Sequence, residues 1–114
     1  MYKQREIILI PFPYSYLTTS KQRPALILSN NNYNTRFPDI LACVITSNLF
    51  KDTYSVELEN TDLESGILPE KSIIKCHKLF TIDQSLILRR FSLVTERKFN
   101  EVKSALHKLF QASM

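Results

Sequence analysis

The chain is built from short apolar runs separated by turn-forming residues, and this pattern limits the possible folds more than any other feature. Runs of this length, rich in Ile, Leu and Val, are typical of buried β-strands. The apolar–polar alternation of residues 53–59 is typical of a half-exposed strand. The pattern predicts six strands, in residues 6–12, 23–29, 39–47, 53–59, 72–77 and, for a short last one, 86–90.

The apolar period changes near the end of the chain. Phe99, Val102, Leu106, Leu109 and Phe110 form one stripe at helical spacing. Upstream, Thr95 is a suitable N-cap and Glu96 suits the first turn. Short strands at close spacing followed by one helix predict a mainly β fold: a small barrel with a C-terminal α-helix.

Several stretches between these elements are predicted to be turns or loops. Asn30–Asn34 and Asn60–Pro69 are rich in turn-forming residues, and Pro13–Gln22 reads as a polar loop of about ten residues. At 114 residues, the chain is the size of one domain, which we expect to span residues 1–114.

Charge is distributed unevenly around a net value of +4. Residues 52–70 contain six acidic residues and no Lys or Arg, so the remainder carries 15 basic and 11 − 6 = 5 acidic residues, a net charge of +10. A basic face would suit phosphates or an acidic protein partner, and the alternative is a solvated mixed surface. No apolar run approaches the roughly 20 residues of a membrane span, and we expect a cytoplasmic protein without membrane contact.

The residues that usually carry catalysis are scarce. With one glycine, no glycine-rich phosphate loop can form, and the two histidines show no metal-ligand spacing with a cysteine or carboxylate. Cys43 and Cys76 are expected to be buried free thiols. Cys76 and His77 should point to opposite faces of a strand, which excludes a nucleophile–base pair. We therefore expect no metal and no cofactor.

An enzyme of this composition needs a substrate that supplies its own nucleophile. RNA is such a substrate, because its 2′-hydroxyl attacks the neighbouring phosphate. The protein must then orient the reacting groups, move protons and stabilise charge on the phosphoryl oxygens. An arginine and a hydroxyl at strand ends beside a polar loop would suffice.

Several motifs, in order, resemble the MazF/PemK toxins of toxin–antitoxin pairs. They cover residues 6 to 110, and their order and spacing are more specific than any one of them. They are Ile7-Ile-Leu-Ile-Pro-Phe-Pro13, Lys21-Gln-Arg-Pro-Ala-Leu-Ile-Leu-Ser29, Tyr33-Asn34, Ile40-Leu-Ala-Cys-Val-Ile-Thr-Ser47, Gly66 followed by Ser72-Ile-Ile-Lys75, and Lys78-Leu-Phe-Thr-Ile-Asp83.

The resemblance implies an SH3-like β-barrel and a homodimer. It also implies a metal-independent endoribonuclease that cleaves single-stranded mRNA at short sequences, leaving a 2′,3′-cyclic phosphate. A cognate antitoxin protein would occupy the RNA groove. The residue pattern alone predicts a small barrel without a metal, whereas the dimer, the RNA substrate and the toxin role come only from the resemblance.

Catalytic positions carry over residue by residue. Arg23 matches the family's catalytic arginine, and we assign it stabilisation of transition-state charge, since a guanidinium keeps its proton and is a poor base. Thr46 matches the catalytic threonine, with Ser47 beside it. The alternatives are an arginine paired with an acid at a strand start, and hydroxyls that bond the local backbone.

Lys75 and His77 occupy the positions of an Arg-x-Asp pair that one branch of the family uses in acid–base chemistry. Residues two apart on a strand share a face, and a histidine is the better proton shuttle near neutral pH. We therefore predict that His77 shares the proton transfer and that Lys75 contacts RNA. The alternative for His77 is an ordinary solvated histidine.

The loop before Arg23 is expected to contact RNA and antitoxin. Its candidate RNA-binding residues are Ser20 and Lys21, preceded by Thr18 and Thr19, although an ordinary loop would look the same. The sequence departs from the family at Arg5-Glu6, where Gly-Asp is usual, and in lacking a glycine in this loop.

Two other functions remain open. A protein of this fold could poison a protein target such as DNA gyrase, without needing Arg23 and Thr46 together. It could also be a nucleic-acid-binding module without catalysis, which would bind RNA in a salt-dependent way and leave it intact.

Overall fold

The computed structural model describes residues 1–12 and 21–113, and within them the chain is mainly β. The strands are β1 Glu6–Phe12, β2 Lys21–Ile27, β3 Asp39–Thr46, β4 Ser55–Leu58, β5 Leu63–Gly66, β6 Ser72–Asp83 and β7 Arg89–Val94. The α-helices are α1 Asn31–Arg36 and α2 Glu96–Leu109, and short 3₁₀ turns occupy Asn60–Asp62 and Gln84–Leu86. Neither α-helix of these residues is long and apolar enough to cross a membrane.

The seven strands of the described residues form one antiparallel sheet in the order β4-β6-β3-β2-β1-β7-β5. β4 and β5 lie at opposite edges of this order, yet only residues 59–62 separate them in the chain. The sheet therefore curls into a half-barrel, and α2 packs against β4 and β6.

Strand alternation gives the sheet two buried faces. On the helix side, Ile7, Leu26 and Ile74 pack with Phe99 and Val102 of α2. The opposite face holds a second cluster around Ile8, Ile10, Ala25, Ile27 and Ala42. Apolar residues on both sides of a strand explain why the sequence shows continuous apolar runs rather than strict alternation.

Most of the predicted elements are confirmed. β1 has the predicted bounds, β3 ends one residue early, and β2 is shifted toward Lys21 because its first residues pair with the end of β1. The C-terminal helix begins after Thr95, whose side chain accepts a hydrogen bond from the Lys98 N–H at 3.2 Å.

Two turn predictions were wrong in part. Residues 31–36 form a helical turn, because the Asn30 side chain caps it by accepting from the Tyr33 N–H at 2.8 Å. Residues 63–66 form β5, which exists through its pairing with β7 and has no apolar pattern of its own.

The last two strands also differ from prediction. β6 continues to Asp83, since β3 pairs with its second half after a bulge opposite Cys43 and Val44. The final strand lies at Arg89–Val94 rather than at residues 86–90, because Gln84–Leu86 form a 3₁₀ turn first.

Arg5 adopts a left-handed backbone conformation, with φ = 76°. It is the first residue of the Arg5-Glu6 pair, where the resemblance led us to expect Gly-Asp. The turn is fixed by two backbone hydrogen bonds, from the Arg5 N–H to the Ile27 carbonyl and from the Val94 N–H to the Arg5 carbonyl. The Arg5 guanidinium adds contacts to the Glu64 carboxylate at 2.8 Å and to the Val94 carbonyl at 2.7 Å. These bonds offset the steric cost of positive φ in a residue with a Cβ.

We expect Arg5→Gly to be more stable than Arg5→Ala by about 1 kcal/mol. Both variants lose the guanidinium contacts, and only glycine accepts this φ without strain. Urea unfolding of the two variants measures the difference. Equal midpoints would mean that the turn carries no strain.

Candidate active site

The pairing of β2 with β3 stops where Pro24 enters the strand. The ladder joins Ile27 to Ala42, Leu26 to Cys43 and Ala25 to Val44, and it does not continue to Pro24. Proline has no N–H to donate to a neighbouring strand. β1 still pairs with Pro24 and Arg23 on the other side, so β2 stays in the sheet while a gap opens between β2 and β3.

Two clefts meet at this gap. A larger cleft of about 380 Å³ lies toward the helix side of the sheet, and a smaller one of about 210 Å³ lies toward the other face. Arg23, Pro24, Ile45 and Thr46 line both. The structure thus brings together Arg23 and Thr46, with Ser47 lining the larger cleft only.

Arg23 and Thr46 face each other across the gap. Extending the Ala25–Val44 register by two residues places Arg23 opposite Thr46, and both then share a face with Ile10, the β1 partner of Arg23. The Thr46 Oγ1 accepts a hydrogen bond from the Asn48 N–H at 3.1 Å. Its own O–H therefore remains available to donate to a ligand.

The Arg23 side chain is exposed. Among residues 1–12 and 21–113, no ion pair or hydrogen bond engages its guanidinium. This geometry does not match the alternative of an arginine paired with an acid at a strand start. The guanidinium is placed to meet an external anion.

Lys75 and His77 lie outside both clefts and gather around Asp52. The Lys75 Nζ is 3.2 Å from Asp52 Oδ2 and donates to the Phe50 carbonyl at 2.9 Å. The His77 Nε2 is 3.8 Å from the same Asp52 oxygen, and its buried Nδ1 has no hydrogen-bond partner among the described residues. The two residues share a face, as their spacing predicted.

This Asp52 cluster (Asp52, Lys75 and His77) is adjacent to the Arg23–Thr46 pair. Lys75 pairs with Val44, which lines the smaller cleft, and Thr46 lies two residues beyond Val44 on the same face. Diagonal neighbours of this kind in a sheet have Cβ atoms roughly 7–8 Å apart.

Asp52 is held as a carboxylate. A hydrogen bond from the Ser55 hydroxyl lowers its pKa, burial opposes this shift, and the Tyr54 N–H and Lys75 lower the pKa further. Sequence reasoning missed Asp52, although its signal was present: an aspartate just before a strand, with donors two and three residues later, is typical of a side-chain turn.

The structure says less about the RNA-binding residues predicted before Arg23. Lys21 is exposed at the first position of β2, pairs with Phe12 and lines neither cleft. Ser20, Thr18 and Thr19 lie outside the described residues. In the described ranges no three His, Cys, Asp or Glu side chains are grouped as metal ligands.

Both cysteines are buried and free, as predicted. Burial raises the pKa of the Cys76 thiol to about 11, and burial likewise raises the pKa of Cys43. Thiols of this kind are poor nucleophiles at neutral pH.

The larger cleft contains polar residues that sequence reasoning did not single out. Gln22 and Glu70 line it beside Arg23, Ser47 and Ser72. No local pattern marks Glu70, which directly follows the predicted turn Asn60–Pro69.

One family model matches nearly the whole chain. The model of the PemK-like, MazF-like toxin of type II toxin–antitoxin systems matches residues 3–110. No curated protein matches the sequence significantly.

Several solved structures share the fold. An endoribonuclease from a mycobacterial species, solved in complex with its cognate antitoxin, superimposes with a TM-score of 0.80 at 18% identity, covering 100% of this chain and 99% of that one. The toxin MazF-mt6 of Mycobacterium tuberculosis gives 0.77 at 18% identity, with 96% and 100% covered. A MazE–MazF complex from Deinococcus radiodurans gives 0.79 at 20% identity, with 98% of each chain covered. The predicted fold class is confirmed.

We expect Asp52→Asn to lower the free energy of unfolding at neutral pH. This loss should become progressively smaller below about pH 4. The folded-state pKa of Asp52 lies below its ordinary value of 3.8, so its stabilising effect is present above that value and is lost as the pH falls through the lowered pKa. Urea midpoints of the variant and the wild type across this range measure the change. Glu57→Gln, at an exposed position on β4, is the matched control. A difference in urea midpoint between Asp52→Asn and the wild type that stays constant at all pH values would contradict the lowered pKa of Asp52.

Proposed function

This chain belongs to the PemK-like, MazF-like toxins of type II toxin–antitoxin systems, and on that premise we propose that it is a metal-independent endoribonuclease that cleaves single-stranded mRNA. The observation that carries the proposal is the Arg23–Thr46 pair across the β2–β3 gap, with a guanidinium not engaged by any described residue. The product is a 2′,3′-cyclic phosphate.

The reaction uses a nucleophile that belongs to the substrate. The 2′-oxygen attacks the adjacent phosphorus, the bond from phosphorus to the 5′-oxygen breaks, and one proton leaves the 2′-hydroxyl while another reaches the departing 5′-oxygen. No metal is needed to generate the nucleophile. The main demand on the protein is to stabilise the negative charge that develops on the non-bridging oxygens.

Arg23 and Thr46 meet that demand. A planar guanidinium can donate two hydrogen bonds to a phosphoryl group, and the Thr46 O–H supplies a third donor from the opposite strand. Ser47 adds a hydroxyl on the side of the larger cleft. Because Arg23 and Thr46 lie on β-strands, their backbone positions are fixed before substrate binds.

His77 carries a proton in this mechanism, and Asp52 positions its ring. The imidazole is partly exposed, and Nε2 faces the carboxylate at 3.8 Å. Lys75 has three ammonium donors, of which the Phe50 carbonyl and Asp52 use two. The third is left for a phosphate, while Lys21 and Ser20 supply RNA contacts before Arg23.

The partners of the protein follow from the same premise. We propose a cognate antitoxin, in line with the mycobacterial endoribonuclease solved with its own antitoxin, and a homodimer acting in the cytoplasm. An acidic antitoxin segment that orders on binding would compete with RNA for the basic part of the surface.

We expect the protein to cut a long, mixed-sequence single-stranded RNA in excess EDTA into discrete fragments ending in cyclic phosphate. Arg23→Ala should lower the rate by roughly 100-fold or more, because one transition-state donor is worth about that much. Gel analysis with end-group mapping measures both results.

Arg97→Ala is the control for this experiment, since Arg97 is exposed on α2, away from both clefts. Intact RNA with a folded wild-type protein would overturn the proposal. A salt-dependent RNA-binding titration would then separate a non-catalytic binding module from a toxin that acts on a protein.

We expect His77→Ala to lower the cleavage rate by roughly 100-fold, as for loss of a general acid or base. Rates from pH 5 to 8 measure the effect. A rate within about threefold of wild type at every pH, well below the usual contribution of such a group, would show that His77 takes no part in the proton transfer.

A further inference from the structure

The larger cleft extends beyond the Arg23–Thr46 pair, away from the face on which those two side chains lie. Its volume of about 380 Å³ falls in the range of pockets that hold small organic ligands, roughly 300–1,000 Å³. Phosphate binding at the gap needs only the donors described above. The remainder of the cleft is therefore available for another part of the substrate.

The lining of the cleft suits a flat, amphipathic group. Leu9, Leu68 and Phe91 provide apolar surface, and Phe91 is half-buried with the Arg89 guanidinium carbon 5.6 Å from its ring centroid. Aromatic rings and arginine planes are the surfaces on which unpaired bases stack.

Glu70 is held at this cleft by its neighbours along the chain. The Leu68 N–H donates to Asn60 Oδ1 at 2.7 Å, and Asn60 Nδ2 donates to the Leu68 carbonyl at 3.2 Å. On the other side, the Ser72 hydroxyl donates to the Glu70 carbonyl at 3.1 Å. The backbone on both sides of Glu70 is fixed, and its side chain is exposed.

The Glu70 carboxylate is not used inside the described part of the chain. Nearby acids are paired, Glu59 with Lys71, Asp62 with Lys98 and Glu64 with Arg5. In residues 1–12 and 21–113, no ion pair or hydrogen bond engages the Glu70 carboxylate. An unpaired carboxylate beside a phosphate site opposes phosphate binding by repulsion, so its presence there calls for a substrate group that donates hydrogen bonds to it.

We propose that the larger cleft is a nucleobase subsite, in which a guanine next to the scissile phosphate stacks near Phe91 and donates to Glu70. This inference rests on the proposed function. A carboxylate offers two acceptor oxygens and no donor. Guanine is the base whose pairing edge carries two adjacent donors, N1–H and the N2 amino group, whereas the other three bases place an acceptor beside each donor.

The test compares the cut sites of wild type, Glu70→Gln and Glu57→Gln in a randomised single-stranded RNA. The wild type and the Glu57→Gln control should share a guanine at one fixed position beside the cut. Glu70→Gln should lower kcat/KM for guanine-containing substrate by roughly 10- to 100-fold, the size of one bidentate base contact. Urea midpoints establish that the variants are folded.

A second measurement isolates the contact itself. Replacing that guanine by inosine, which lacks the N2 amino group, should lower kcat/KM for the wild type and leave Glu70→Gln nearly unchanged, because coupled groups show non-additive effects.

The outcomes separate this inference from the function on which it rests. Arg23-dependent cleavage without a guanine preference, or an unchanged preference in Glu70→Gln, would overturn the proposed subsite. The proposed endoribonuclease activity would be retained in either case. A wild-type protein that cuts no RNA would overturn both.

Discussion

The short connection between β4 and β5 is the constraint on which the rest of the structure depends. Five Cα–Cα steps separate Leu58 from Leu63 and span at most about 19 Å. In a flat sheet, the two edge strands of a seven-stranded order would be six spacings, or about 29 Å, apart. The sheet must therefore curl, and curling gives each side of it a core. The helix α2 fills one side, where its apolar stripe meets β4 and β6.

Within this curled sheet, one missing hydrogen-bond donor creates the candidate site. The β2–β3 ladder is regular up to Ala25 and ends at Pro24, so the two strands separate where Arg23 and Thr46 face each other. Regular pairing with β1 holds the Arg23 backbone opposite Ile10. The Arg23 side chain still reaches solvent. The gap therefore adds exposed polar groups at the site without loosening the strand that carries the arginine.

The Asp52 cluster links this gap to the neighbouring strand. Lys75 on β6 holds the segment after Thr46 and Ser47 through the Phe50 carbonyl and the Asp52 carboxylate. The same carboxylate faces His77. In the proposed reaction, one acid thus holds the strand end that carries the hydroxyl donors and also positions the ring that moves protons. An ion pair of this type contributes more to geometry than to stability, because its side chains are partly solvated.

The sequence by itself determined most of the strands, where the last helix begins and the start of its buried stripe, Phe99 and Val102. These features depend on local rules: apolar period, capping by Thr95 and the turn chemistry between runs. The prediction that Phe110 belongs to this stripe was wrong, because Phe110 lies at the helix end and is exposed. The family resemblance pointed to Arg23 and Thr46. Only the tertiary structure decided that Arg23 lies opposite Thr46, that Asp52 gathers Lys75 and His77, and that Glu70 lines the larger cleft. It also decided that residues 63–66 form a strand and that Arg5 takes a glycine-like conformation. The physical reason is that these features depend on pairings between segments far apart in the chain, and such pairings leave no periodic signal in either segment alone.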